Sequence, residues 1–242
     1  MIPVLLGGAE NFDRYMGRCV DFTSANYGGN AQIDGPTGLV AINLCSACMW
    51  LYSPQLNTGD FDVMGPFNGV SFGGLGPSSE SVLAVFTDAG GYSQTDLPAY
   101  PTGQWFFVGF SSSPTAAVGY QLVSGASSMA TATVAPVTGS GTAGVIFGIG
   151  AFGGDPNMPM YAAGFKLWGR ILSQTEMQAE AQQLAPVSQR GLKAYLPMRA
   201  AANVLADSFV PGSVYTGGAP FVTRLLAPPV PEVLVPHRLV SL

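Results

Sequence analysis

Short runs of apolar residues recur along the chain, and segments that favour turns separate them. Five such runs cover residues 40–44, 48–52, 81–86, 105–110 and 145–149. Gly, Asn, Asp and Pro fill the intervening segments, as in Asn57-Thr58-Gly59-Asp60 and Gly153-Gly154-Asp155-Pro156-Asn157. Short strands divided by turn residues are typical of an all-β sandwich or barrel. The run 105–110 is apolar on both faces, which predicts a central strand or a strand whose outer face contacts another protein.

One segment carries the signature of a helix. Ser173-Gln174-Thr175-Glu176 is a capping box, in which the Ser173 hydroxyl accepts from the backbone N–H of Glu176 and the Glu176 carboxylate accepts from that of Ser173. Helix-forming residues follow until Pro186, which would end the helix. The pattern predicts one short peripheral helix near residues 173–185, with its core-facing side made by Met177, Ala181 and Leu184.

The composition indicates apolar surface that a free monomer would not bury. Charged residues make up 10% of the 242 residues, against about 25% in average domains, and the mean hydropathy is +0.31. No apolar stretch approaches the about 20 residues of a membrane span, and the N-terminus lacks the basic and apolar regions of a secretion signal. The formal net charge of −5 argues against nucleic acid. We therefore expect the apolar surface to be covered by protein partners.

Three cysteines are candidates for chemistry: Cys19, Cys45 and Cys48. Cys45 and Cys48 have the spacing of half a zinc site, but a structural zinc takes four ligands and the one histidine, His237, lies far along the chain. No βαβ pattern surrounds the pair, as a redox motif would require. We expect buried free thiols on strands, as in a protein that folds in a reducing compartment.

Several segments resemble one known family. The segment 169–173, Gly-Arg-Ile-Leu-Ser, followed by Glu176, resembles the turn between a strand and a short helix in laminin-G-like, concanavalin A-like domains. Four other segments resemble strands of that family in a compatible order: Arg18–Phe22, Ala47–Trp50, Gly103–Val108, and Gly191–Met198 with Asp207-Ser208. The last of these precedes the others in many members. The resemblance extends roughly over residues 15–220 and implies an all-β jelly-roll sandwich, of the kind found in bacteriophage structural proteins; an unrelated sandwich is the alternative.

The C-terminal residues differ from the rest. Pro228, Pro229, Pro231 and Pro236 alternate with Val and Leu, which favours an extended, polyproline-like path. We predict a jelly-roll domain over residues 1–225 and an extended arm over residues 226–242. The arm would lie on a neighbouring molecule through its apolar side chains, and folding back over its own sandwich is the alternative. These side chains are Leu226, Val230, Val233, Leu234, Val235 and Leu239.

No arrangement of residues predicts catalysis. Retaining glycosidases need two carboxyl groups about 5–5.5 Å apart, and the nearest pair in sequence, Asp60 and Asp62, follows a turn signal and is better explained as capping it. Trp168 alternates with Lys166 and Arg170 on one strand, so it is a candidate for stacking on a sugar; burial under a loop is the alternative. No cofactor is expected, although the resemblance implies that calcium could bind. Its oxygen ligands would be Asp34, Asp155, Asn157 and Asp207, which could instead be turn formers.

These observations predict a non-catalytic virion structural protein of a bacteriophage: a capsid decoration, cement or tail component that is assembled in the host cytoplasm. Its partners would be copies of itself, as a homo-oligomer, and other virion proteins, with neither nucleic acid nor a membrane. The alternative is a carbohydrate-binding module that attaches to a glycan of the host surface. A diverged glycan-cleaving enzyme is the least favoured interpretation. The sequence does not distinguish head from tail.

Overall fold

Antiparallel strands make up most of the described chain. The computed structural model describes residues 18–22, 32–56, 62–67, 73–79, 81–88, 91–123, 126–137, 146–150, 160–197 and 221–224. The strands are β1 (Arg18–Asp21), β2 (Gln32–Asp34), β3 (Cys45–Tyr52), β4 (Met64–Phe67), β5 (Gly73–Ser79), β6 (Val82–Asp88), β7 (Tyr92–Ala99), β8 (Trp105–Ser112), β9 (Ala117–Val123), β10 (Ala130–Val134), β11 (Ile146–Gly150), β12 (Tyr161–Trp168), β13 (Leu192–Leu196) and β14 (Phe221–Arg224). The helix α1 (Gln174–Glu180) lies between β12 and β13.

The strands form two sheets. The eight-stranded sheet has the order β10-β9-β8-β3-β12-β1-β14, and β13 also pairs with β12. Strand β1 pairs with the first residues of β12 and β13 with its last residues, so the two share one edge of that strand. The six-stranded sheet has the order β2-β11-β4-β5-β6-β7.

The inner core lies between the two sheets. Alternate residues of β3 point into it, and they meet apolar side chains of β8 from the same sheet and of β5 and β6 from the other sheet. Strand β8 is buried along its whole length between β3 and β9, so the prediction of a central strand at 105–110 is confirmed. The core includes Cys45, Ala47, Met49, Leu51, Leu75, Leu83, Val85, Phe106, Val108 and Phe110.

A second apolar cluster, called here the outer layer, covers the opposite face of the eight-stranded sheet. Helix α1 contributes Met177 to it, Ala181 follows as the C-cap residue and Leu184 comes from the next loop, and all three are buried as predicted. Gly109 on β8 allows this close approach, because a Cβ atom there would lie 2.6 Å from Met177 Sδ. The sheet contributes Cys48, Trp50, Trp105, Phe107, Tyr120, Leu122 and Trp168.

A β-bulge in β12 decides which of its side chains reach the outer layer. Between its pairings with Trp50 and Cys48, β12 advances by one residue more than β3 does. Gly164 lies in the bulge with a φ of 63°, which glycine adopts without strain. The additional residue reverses the alternation of the strand, so that Trp168 lies in the outer layer together with the fully buried Lys166.

The all-β prediction with one short helix is confirmed for the described residues, but the helix ends at Glu180, whereas the prediction had extended it to residue 185 with Pro186 as its end. The run 40–44 is an exception, because it forms a turn in which the backbone N–H of Leu44 donates to the carbonyl of Ala41 at 3.1 Å. Val40 and Ile42 are nevertheless buried, so the run was apolar without being extended. Within the described ranges, no helix is long and apolar enough to cross a membrane. The predicted arm, residues 226–242, lies outside the described residues.

Candidate functional site

Residues 169–173, which carry the resemblance to laminin-G-like domains, connect β12 to α1 and hold the two together through hydrogen bonds. The guanidinium of Arg170 donates to both carboxylate oxygens of Glu176, at 2.7 Å to Oε1 and 3.2 Å to Oε2. It also donates to the carbonyl of Arg190 at 2.7 Å and to the hydroxyl of Ser188 at 2.6 Å. These contacts join the end of β12, the first turn of α1 and the loop before β13. The motif therefore has a structural role.

The predicted capping box is present at the same place. Ser173 Oγ accepts from the Glu176 backbone N–H at 3.2 Å, and Glu176 Oε2 accepts from the Ser173 backbone N–H at 2.9 Å. The hydrogen bonds from Arg170 and then from the Ser173 backbone stabilise the charged form, and they lower the pKa of Glu176 to about 2. This carboxylate is ionised at neutral pH.

Trp168 does not form the sugar-stacking surface that its alternation predicted. Its exposed fraction is 0%, and its indole N–H donates to the Ser188 carbonyl at 2.8 Å. A ring covered on both faces offers nothing for a sugar to stack on. The prediction was wrong because alternation shows which side of the strand a residue occupies but not what covers that side. The alternative, burial under a loop, is what the structure shows.

Lys166 and Glu180 form a fully buried ion pair under the same loop. Lys166 Nζ donates to Glu180 Oε2 at 2.9 Å, to the Glu180 carbonyl at 3.0 Å and to the Gln183 carbonyl at 2.8 Å. The Glu180 carboxylate also accepts from the backbone N–H groups of Val187 and Ser188. The three protons of the ammonium are thus all used, as burial of a charge requires. The pair therefore has a structural role.

The two described thiols are buried and free, as predicted. Burial raises the pKa of Cys45 to about 12. It raises the pKa of Cys48 further, although the nearby charge of Lys166 acts in the opposite direction. Both are therefore protonated and weakly nucleophilic at neutral pH. Cys19 lies on β1, and its side chain is outside the described part of the chain.

Several predicted ligands and site residues lie outside the described residues. These are the calcium candidates Asp155, Asn157 and Asp207, together with Asp60, His237 and the arm residues Leu226, Val230, Val233, Leu234, Val235 and Leu239. Asp34 is placed on β2, with its side chain undescribed. In the part of the chain that the structure describes, no group of three His, Cys, Asp or Glu side chains is placed to hold a metal ion. Calcium binding stays a prediction.

A row of exposed side chains on β7 is the surface feature that the sequence analysis missed. Tyr92, Gln94 and Asp96 alternate along this outermost strand of the six-stranded sheet, and all three are exposed. Tyr92 Oη donates to Gln94 Oε1 at 2.5 Å, and Gln94 Nε2 donates to Asp96 Oδ1 at 3.2 Å. The Tyr92 ring is 64% exposed and lies nearly parallel to that of Phe86, with 6.3 Å between the centroids. The signal was present as an unbroken run of five polar residues, Tyr92 to Asp96, between Gly91 and Leu97.

Solved structures share the fold of this chain, whereas no protein-family model and no curated protein matches it. A heptameric SAP-like pentraxin from Limulus polyphemus matches with a TM-score of 0.53 and 14% identity, over 85% of this chain and 96% of that chain. The enzymatically active domain of tailspike protein 2 from bacteriophage CBA120 matches with a TM-score of 0.50 and 11% identity, over 74% of this chain and 32% of that chain. Mouse laminin alpha1 domains LG4-5 match with a TM-score of 0.47 and 15% identity, over 76% and 48% of the two chains.

The pentraxin and tailspike matches define a class of fold. Together with the two antiparallel sheets, they show that the chain has the concanavalin A-like jelly-roll fold that the sequence resemblance implied. The chain spans about a third of the tailspike structure that it matches. Identities this low indicate a common fold and leave function to be argued from the chain itself.

Proposed function

We propose that this protein is a non-catalytic structural component of a bacteriophage particle, which acts through contacts with copies of itself and with other particle proteins. The observation that carries the proposal is the scarcity of surface charge. The chain has 9 basic and 14 acidic residues, and two of these, Lys166 and Glu180, are fully buried. Average soluble domains have about 25% charged residues, whereas this chain has 10%. A chain with so little charge is stabilised against aggregation when partners cover it.

The placement of four of the described reactive groups supports a role without catalysis. The carboxylates of Glu176 and Glu180 are held in ion pairs, and the thiols of Cys45 and Cys48 are buried. The tailspike domain with this fold belongs to a phage and is named for its enzymatic activity. The match therefore supports the phage setting. It does not support the absence of catalysis, which is argued from the residues of this chain alone.

Assembly is tested by sedimentation velocity of the purified chain over a range of concentrations. We expect oligomers that dissociate on dilution, because the proposed partners include copies of the chain. Deletion of residues 227–242 should abolish the oligomers and leave the melting temperature unchanged, if the arm binds a neighbour. The matched control replaces those residues with a Gly/Ser segment of the same length. A monomer at every concentration, or a large loss of monomer stability with assembly unchanged, would contradict this part of the proposal.

Carbohydrate binding is a second candidate function, and one observation favours it. The row on β7 presents an exposed aromatic ring beside an amide and a carboxylate, which together suit a ligand that has both apolar and hydroxyl surfaces. The outer layer on the opposite side offers no comparable feature at Trp168, since that ring is buried.

A further inference from the structure

The side chains of the β7 row are held in one arrangement before any ligand arrives. The hydrogen bond from the Tyr92 hydroxyl fixes the Gln94 amide with its oxygen towards Tyr92, and its nitrogen then donates to Asp96. Phe86 lies behind the Tyr92 ring and is itself only 7% exposed. A tyrosine supplies a rigid, amphipathic contact area that loses little conformational entropy on binding. A ligand that contacts this row therefore meets an ordered surface.

The row leaves hydrogen-bonding capacity at its polar end. The Gln94 amide has a second N–H and a second lone pair, and the Asp96 carboxylate has a second oxygen. Alternate residues of a strand are about 6.6–6.8 Å apart, so the row from Tyr92 to Asp96 is about 13 Å long. A pyranose ring has an apolar C–H face and a rim of hydroxyl groups. The C–H face suits the tyrosine ring, while the hydroxyl rim suits the amide and the carboxylate.

The charges around the row select among such ligands. Asp88 lies opposite Tyr92 across the β6–β7 ladder, and Asp96 lies opposite Ala84. The segments β5, β6 and β7 contain no Lys, Arg or His. A like charge brought close to these carboxylates is unfavourable, so acidic glycans and nucleic acids are disfavoured at this surface.

Addition of a strand from another protein is a different use of an outermost strand, and β7 is poorly suited to it. Pro98 interrupts the backbone donors of β7. The β6–β7 register also shifts between Val82 and Ala84, which twists the edge. The Thr95 hydroxyl donates to the Thr133 carbonyl of β10 at 3.1 Å, which ties β7 to the other sheet. The face of β7 is therefore a better recognition surface than its edge.

We propose that the exposed face of β7 is a binding site for a neutral saccharide, with Tyr92 stacking on the sugar ring and Gln94 and Asp96 hydrogen bonding to its hydroxyl groups. The site goes beyond the proposed role in particle assembly and gives the second candidate function its location. Because the three side chains are exposed, they can be changed without disturbing the core.

The test is native affinity electrophoresis of the full chain in gels that contain laminarin, dextran, agarose or galactomannan, with acidic alginate for comparison. We expect at least one neutral polysaccharide to retard the wild-type chain. Tyr92→Ala should weaken that retardation roughly fivefold, since stacking of aromatic rings contributes on the order of 1 kcal/mol. Tyr92→Phe should keep most of it, because the ring remains. Leu56→Ala is the matched control, because Leu56 is 52% exposed and lies outside the row.

Three results would overturn the site. They are no retardation by any of the four neutral polysaccharides, retardation that Tyr92→Ala leaves unchanged, and stronger retardation by alginate. Sedimentation velocity of the same variants reports whether they still form oligomers. It therefore distinguishes failure of the saccharide site from failure of the assembly proposal. Loss of oligomers in Tyr92→Ala without an effect on retardation would assign the face to contacts between copies and would also overturn the saccharide site.

Discussion

At the residue scale, the buried charges are the least expected feature of the molecule. Lys166 lies on β12 in a sequence that gives no sign of burial, and its partner Glu180 comes 14 residues later, at the end of α1. The pair is satisfied by backbone groups of the helix end and of the loop that follows it. Charged groups in such a place stabilise a particular arrangement of helix and loop, since either charge alone would be costly.

Removal of one member of this pair should be strongly destabilising. Lys166→Met leaves the Glu180 carboxylate buried without its cation, and we expect a loss of about 3–5 kcal/mol in the free energy of unfolding. Urea denaturation followed by tryptophan fluorescence measures it. Lys193→Met, on the exposed side of β13, is the control and should change stability by less than about 0.5 kcal/mol. Equal changes in the free energy of unfolding for the two substitutions would show that the buried ion pair contributes no more to stability than an exposed lysine.

The hydrogen bonds that Glu176 accepts from Arg170 and from the Ser173 backbone make the stability of the fold depend on pH in the acid range. The pKa of Glu176 is lowered from 4.5 to about 2, so its contribution is complete above pH 4.5 and is lost as the pH falls from there through about 2. Glu176→Gln keeps a side chain that can cap the helix but does not titrate. We expect the difference in urea midpoint between the wild-type chain and this variant to shrink over that range. A difference in urea midpoint that stays constant from pH 6 to pH 2 would contradict the lowered pKa of Glu176.

At the element scale, the capping box and the apolar run of β8 predicted the correct elements, whereas the run 40–44 and the helix end at Pro186 did not. The capping box specified α1 because all its hydrogen bonds lie within four residues, and the wholly apolar run of β8 specified a central strand. The run 40–44 became a turn because burial does not require an extended backbone. The covering of Trp168 depends on Ser188, and the exposure of Tyr92 depends on its place in an outermost strand. Neither sheet order nor loop placement can be read from periodicity.

The bulge in β12 should be sensitive to any side chain at its glycine. Gly164→Ala places a Cβ atom at a φ of 63° and 3.0 Å from Leu184 Cδ2. We expect a loss of at least about 1–2 kcal/mol from backbone strain, with a further loss from this contact. Gly38→Ala is the matched control, because Gly38 has a φ of 75° with nothing within 4 Å. Thermal unfolding of both variants isolates the contact with Leu184, and a smaller loss for Gly164→Ala than for Gly38→Ala would contradict the account.

At the scale of the whole molecule, the outer faces of the two sheets differ in what covers them. The eight-stranded sheet is covered by α1 and its loops, where the ion pairs are placed. The six-stranded sheet carries the exposed row at its outermost strand. The low charge of the chain is the property on which the proposed role in assembly rests.

The most direct test of that claim is quantitative mass spectrometry of density-purified phage particles from the host that produces this chain. The account predicts peptides of the chain at a constant copy number per particle, which persists through washing at high salt. Absence of the chain from purified particles, or trace amounts that vary between preparations and wash away, would contradict a structural role in the particle.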